Sequence, residues 1–170
     1  IMLLGFRSFI TFFPLRGLEL GMTTTLIGSI VGVRTISSTI FRLPAGYLAE
    51  SFGRKPLFLI SLLLSSLGLA IFSMFSNLWM ILLAASLEGA GFGIFLTVSR
   101  AFVVDSTSKS DRSTSLSITS SLGFLGQTIM ILLLGSISSI VGLELIFGIG
   151  SLFILSLGLL LHVKFKAVSS

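Results

Sequence analysis

Apolar residues in this chain come in runs of about twenty, the length a helix needs to cross a hydrocarbon core, and the polar and charged residues gather between them. Five complete runs and one incomplete run are predicted. The incomplete one, Ile1 to Leu15, begins abruptly in apolar sequence without an initiator Met and without the positive flank of a signal peptide, so it reads as a clipped helix. The second helix is expected from about Leu26 to Leu48, after a Thr23, Thr24, Thr25 cluster that supplies an N-cap. A third starts at Pro56, a good first-turn residue, and ends near Phe75. The rest are expected at about 78–104, 114–137 and 143–163. The predicted fold class is an all-α integral membrane protein, a bundle of six transmembrane helices.

Composition agrees with a bilayer as the solvent. Hydrophobic residues make up 54% of the 170 and charged residues only 10%, well under the quarter typical of a soluble domain. Low charge does not mean disorder here, because apolar runs of this length must be buried. The absence of Cys excludes disulfides, thiolate metal sites and cysteine nucleophiles. A net charge of +5 raises the question of nucleic acid, but the placement of the charges answers it. One side of the predicted bundle carries Arg42, Arg54, Lys55, Arg100, Lys109, Arg112, Lys164 and Lys166; the other has Arg16, with Glu19 and Glu144 near it. By the positive-inside rule the basic side is cytoplasmic, so the expected location is the plasma membrane with both ends of the segment on the cytoplasmic side. The expected partner is the lipid bilayer and not nucleic acid.

The densest charge lies in "GYLAESFGRK", residues 46 to 55, at the expected turn between the second and third helices. Gly46 allows close backbone approach and Gly53 permits a positive φ before the next helix, while Arg54 and Lys55 stay at the membrane edge. The spacing resembles the signature loop of the major facilitator superfamily: Gly, any, Leu, Ala, Asp, Arg, any, Gly, Arg, Lys. Gly46, Leu48, Ala49, Gly53, Arg54 and Lys55 match, Glu50 replaces the Asp, and Ser51 replaces the first Arg.

That resemblance covers essentially the whole chain and implies one six-helix half of a twelve-helix transporter, with the other half in the same polypeptide. Because the chain ends at "HVKFKAVSS" and its fifth helix lacks a Gly-Pro pair, the C-terminal half is expected. The implied function is secondary active transport of a small molecule or ion by alternating access. A membrane sensor or assembly protein that keeps the fold without transporting is the alternative, and two copies forming a twelve-helix dimer is a third.

The resemblance also implies a cytoplasmic charge network of Glu50, Arg54 and Asp105, the last at the end of the fourth helix, acting as a latch on one conformational state. The plainer alternative is three solvated membrane-edge charges worth under about 1 kcal/mol together.

Two charges lie deeper, Arg34 in the second helix and Glu88 in the fourth. A charge near mid-span costs about 2.5–3.5 kcal/mol on insertion scales, so it needs a partner or a water-filled cavity. Glu88 is a candidate proton-coupling or substrate carboxylate; Arg34, or Arg7 in the clipped helix, is a candidate anion holder. The alternative is a structural Arg34–Glu88 pair, or an Arg snorkelling to the interface. By resemblance the first and fourth helices line a central cavity, which favours Glu88 and Arg7. Gln127 in the fifth helix is a weaker cavity candidate. Arg34, Ser37 and Ser38 share a stripe, and Gly28 with Gly32 forms a separate small-residue contact surface. An open polar cavity at Glu88 favours transport, whereas a sealed Arg34–Glu88 pair favours the non-transporting reading.

The remaining motifs point away from enzyme chemistry. "GAGFG", residues 89 to 93, sits inside a helix and follows no strand, so it is a close-packing segment and not a dinucleotide loop. His162 has no ligand partners nearby in sequence. No cofactor or metal is implied.

Overall fold

The computed structural model describes the backbone of residues 3–168 and the side chains of residues 9–138 and 140–162; its regular elements there are all α-helices. They are α1 (Leu3–Glu19), α2 (Thr24–Ser51), α3 (Arg54–Met74), α4 (Leu78–Asp105), α5 (Arg112–Val141) and α6 (Leu143–Val168). Five of them, α2 to α6, are long and apolar enough to cross a membrane. The chain is a multi-pass membrane protein.

Local chemistry explains the helix ends. Thr23 caps α2, its hydroxyl accepting from the Leu26 N–H at 3.3 Å, so the helix starts two residues before the expected Leu26. Asn77 caps α4 in the same way, accepting from the Trp79 N–H at 2.9 Å. Helix α3 begins at Arg54, ahead of Pro56, because a proline in the first turn removes an N–H that has no acceptor within the helix. Helix α1 runs past Leu15 to Glu19, carried by Arg16 and its i,i+3 partner Glu19. Gly53 (φ 87°, ψ 154°) and Gly142 (φ 81°, ψ 157°) adopt nearly the same backbone conformation, one immediately before α3 and the other immediately before α6. That region of backbone space is open essentially only to glycine.

Helix α4 is the spine. It packs along its length against α2 on one face and α3 on another, while α3 packs on α6. Lipid supplies no hydrophobic drive between helices, so the seams rest on close approach and hydrogen bonds. A methyl group added at Gly89 or Gly93 would run into the α2 backbone carbonyls of Arg34 or Ser38, and one at Gly91 would meet the Ser61 carbonyl of α3 at 2.7 Å. The "GAGFG" segment is therefore the point where three helix backbones come together. Ser37 donates to the Ser86 carbonyl at 2.7 Å across the α2–α4 seam. Ser66 and Ser151 each donate to the other's carbonyl, at 3.1 and 2.9 Å, and tie α3 to α6.

Phe9 and Phe13 of α1 stack on each other and meet, at a tilt, Phe72 of α3, which reaches Phe147 of α6. Helix α5 is the outlier: 11% of its apolar window is buried, against 67% for α4. It rests lightly on α1, α4 and α6. The expected small-residue surface at Gly28 and Gly32 packs against nothing among the described residues, because α2 is pressed onto α4 by its opposite face.

Candidate functional site

At the basic end of the bundle, the turn after α2 brings Arg54 to the last turn of α4. Arg54 Nη1 pairs with Asp105 Oδ2 and also donates to the Ala101 carbonyl at 2.9 Å. Arg112, at the start of α5, donates from Nε to the Val104 carbonyl at 3.2 Å. Two guanidinium groups thus sit on carbonyls in the last turns of α4, and both favour the negative end of that helix dipole. Asp105 stands at the unfavourable end of its own helix and depends on these cations.

The structure brings together two of the three expected network members. Glu50 is exposed and makes no ion pair or hydrogen bond among the described residues. Its place near the end of α2 turns it to solvent, and Ser51, where the signature has Arg, instead donates to the Tyr47 carbonyl at 3.1 Å. Gly53 makes the turn, Lys55 is exposed, and a methyl group at Gly46 would meet no described atom within 4 Å.

Deep in the bundle, Arg34 and Glu88 join α2 to α4. Nε lies 2.5 Å from Oε2 and Nη2 lies 3.0 Å from Oε1. Glu88 is 0% exposed and Arg34 is buried. The guanidinium is 4.7 Å from the Phe92 ring centre and 6.0 Å from that of Phe9. Fork-to-carboxylate geometry and flanking rings satisfy both charges within the seam. Beside Glu88, the Gly89 backbone meets the Arg34 carbonyl of α2, so the pair lies within the α2–α4 contact. The Arg7 side chain lies outside the described residues.

A cleft lies between α4 and α5, with a volume of about 170 Å³. Phe92, Leu96 and Phe124 give it apolar walls; Ser99, Thr119, Ser120 and Gln127 give it polar ones, and Arg100 adds a cation. Gln127 is the one expected cavity residue among its walls. Arg100, which sequence reading counted only as a loop-side charge, has no ion pair or hydrogen bond among the described residues. A signal was present: Ser99 and Arg100 follow Leu96 by three and four positions, one helical turn, so they extend the face that Phe92 begins.

The Major Facilitator Superfamily model matches residues 1–168. The chain belongs to the major facilitator superfamily. Relatives of this superfamily chain include the inner membrane transport protein YajR of Escherichia coli (strain K12), 32% identical over 71 residues, which cover 42% of this chain and 16% of YajR. The multidrug resistance protein MdtH of Yersinia enterocolitica (serotype O:8 / biotype 1B) is 29% identical over 114 residues, covering 65% of this chain and 28% of that protein. MdtH of Yersinia pestis (strain Pestoides F) is 28% identical over the same length. The chain thus spans well under a third of the curated relatives it matches.

Among the described residues, no group of three or more His, Cys, Asp or Glu side chains comes together as a metal site. Chemically, this superfamily member offers a mixed polar and apolar cleft, a sealed ion pair beside its base at Phe92, and an ion pair at the basic end.

Proposed function

We propose that the chain is one six-helix half of a secondary active transporter that moves a small solute by alternating access, with its basic end at the cytoplasm. The observation that carries this reading is the α4–α5 cleft, which combines apolar walls with Gln127, three hydroxyl side chains and Arg100 in a member of a superfamily whose relatives here are named as transport and resistance proteins. Such a cleft suits an amphiphilic organic solute, since apolar walls supply affinity and a few polar groups fix orientation. The other six helices would close it and complete the path.

In this reading the Arg54–Asp105 pair, set by the Gly53 turn, is a cytoplasmic latch. Breaking it would shift the balance toward opening on that side. Glu50 would act on the missing half and not within this one. Glu88 and Arg34 would hold α2 on α4 so that the half moves as a rigid body.

A second reading, a sensor or assembly protein of the same fold, is favoured by one observation: the deep ion pair is sealed from the cleft. Flux decides between the two. The full-length protein in proteoliposomes should move amphiphilic solutes at a rate that responds to an imposed proton gradient. Lack of flux for every solute in a broad panel, with correctly folded protein in the vesicles, favours the sensor.

A further inference from the structure

At the end of the bundle opposite the latch, Arg16 in the last turn of α1 pairs with Glu144 in the first turn of α6. This contact repeats the Arg54–Asp105 contact in inverted form. In the chain α3 follows α2 as α6 follows α5; in space α4 packs on α2 and α3, and α1 packs on α5 and α6. The partner of α3 at the basic end is the last turn of α4, and the partner of α6 at the other end is the last turn of α1. The two helix-starting turns share one backbone conformation, Gly53 at φ 87°, ψ 154° and Gly142 at φ 81°, ψ 157°. The carboxylates match in exposure, 54% and 56%, while Arg16 at 13% is more buried than Arg54 at 28%.

We infer that Arg16 and Glu144, acting through the Gly142 turn, form a second latch on the outer side, which holds the conformational state opposite to the one held by Arg54 and Asp105. This rests on the latch reading proposed above. Arg16 and Glu144 are positioning residues: they fix the α5–α6 turn as Arg54 and Asp105 fix the α2–α3 turn.

The two pairs differ in their second contacts, Glu19 for Arg16 and the Ala101 carbonyl for Arg54, and in how their charges suit the helices that carry them. Glu144 lies at the positive end of α6 and Arg16 at the negative end of α1, so each outer charge suits its own helix. Arg54 begins α3 and Asp105 ends α4, so each inner charge opposes its own helix and needs its partner. The inner pair therefore works as an all-or-none contact. The outer charges tolerate separation, and the outer latch releases more gradually.

Hydrogen–deuterium exchange on the full-length protein in nanodiscs tests this. Glu144→Gln should speed exchange in the outer turns around residues 20–23 and 142 and slow it in the basic-end turns around 52–53 and 106–111. The ratio should move about fivefold or more, the size of an ordinary coupling between sites. Arg54→Gln should move both ends in the reverse direction. Local damage alone loosens the mutated end and leaves the far end untouched, so slowing at the far end is the diagnostic change. The exchanged pair, Arg16→Glu with Glu144→Arg, should return the pattern most of the way to wild type, and it serves as the deciding variant if Glu144→Gln does not fold.

Two results would overturn the inference. If Arg54→Gln changes both ends while Glu144→Gln and the exchanged pair act only locally, the outer latch is wrong and the inner one stands. If neither single variant moves its far end, the latch reading fails and takes the inference with it.

Discussion

Arg34 and Glu88 hold each other in a two-point ion pair, Nε to Oε2 at 2.5 Å and Nη2 to Oε1 at 3.0 Å, buried between α2 and α4. Removing one partner leaves a bare charge in a seam closed by Phe92 and by Gly89. Glu88→Ala or Arg34→Met should therefore cost about 3–5 kcal/mol, whereas Arg34→Met with Glu88→Leu should recover most of that loss. Thermal unfolding of the four proteins in detergent checks the cycle; a double variant as unstable as either single would contradict it. Flux through the stable double variant then asks whether Glu88 does more than hold the seam.

The glycines of α2 and α4 should separate sharply. Gly89→Ala and Gly93→Ala drive a methyl group into the α2 backbone and should each destabilise by about 1–3 kcal/mol, because a carbonyl cannot move aside as a flexible side chain can. Gly28→Ala and Gly32→Ala meet nothing within 4 Å and should stay within about 0.5 kcal/mol. Melting temperatures of the four variants test the contrast.

Gly53→Ala and Gly142→Ala place a side chain in glycine-only backbone space and should each cost roughly 1–3 kcal/mol. Gly46→Ala, in helical backbone with open space around it, should leave stability unchanged. If it instead abolishes flux in a stable protein, residue 46 approaches the other six helices of the proposed transporter.

In the cleft, Gln127→Ala should raise KM about tenfold with little change in melting, the loss expected for one hydrogen bond to the solute. Arg100→Gln should weaken anionic solutes more than neutral ones. Initial uptake rates over a concentration series give both values, and equal loss for anions and neutrals would remove Arg100 from recognition.

The six helices and the superfamily were legible because both follow from one-dimensional signals: apolar length, charge alternation and the spacing of residues 46–55. The close-packing role of residues 89–93 was readable for a similar reason, since glycines in mid-helix have few other uses. Helix ends were less so: the threonine cluster announced the α2 cap, but the start of α3 at Arg54 and the run of α1 on to Glu19 depend on backbone geometry and charge that apolarity does not report. The deep charges were recognised, but their environment depends on which faces of α2 and α4 meet. That is a three-dimensional choice, made by Gly89 and Gly93 against Gly28 and Gly32. Arg16 and Glu144 are 128 positions apart, and only the folded bundle brings them together.

Helix α5 sets the order in which this half comes apart. Backbone-to-backbone seams bind α2, α3 and α4, whereas α5 rests on α1, α4 and α6 through a few contacts and supplies one wall of the cleft. Warming or a harsh detergent should therefore free α5 while the other helices keep their helical signal. If the cleft takes the proposed solute, binding should fail at a lower temperature than the fold, and circular dichroism alone would pass as sound a sample that has already gone blind to it.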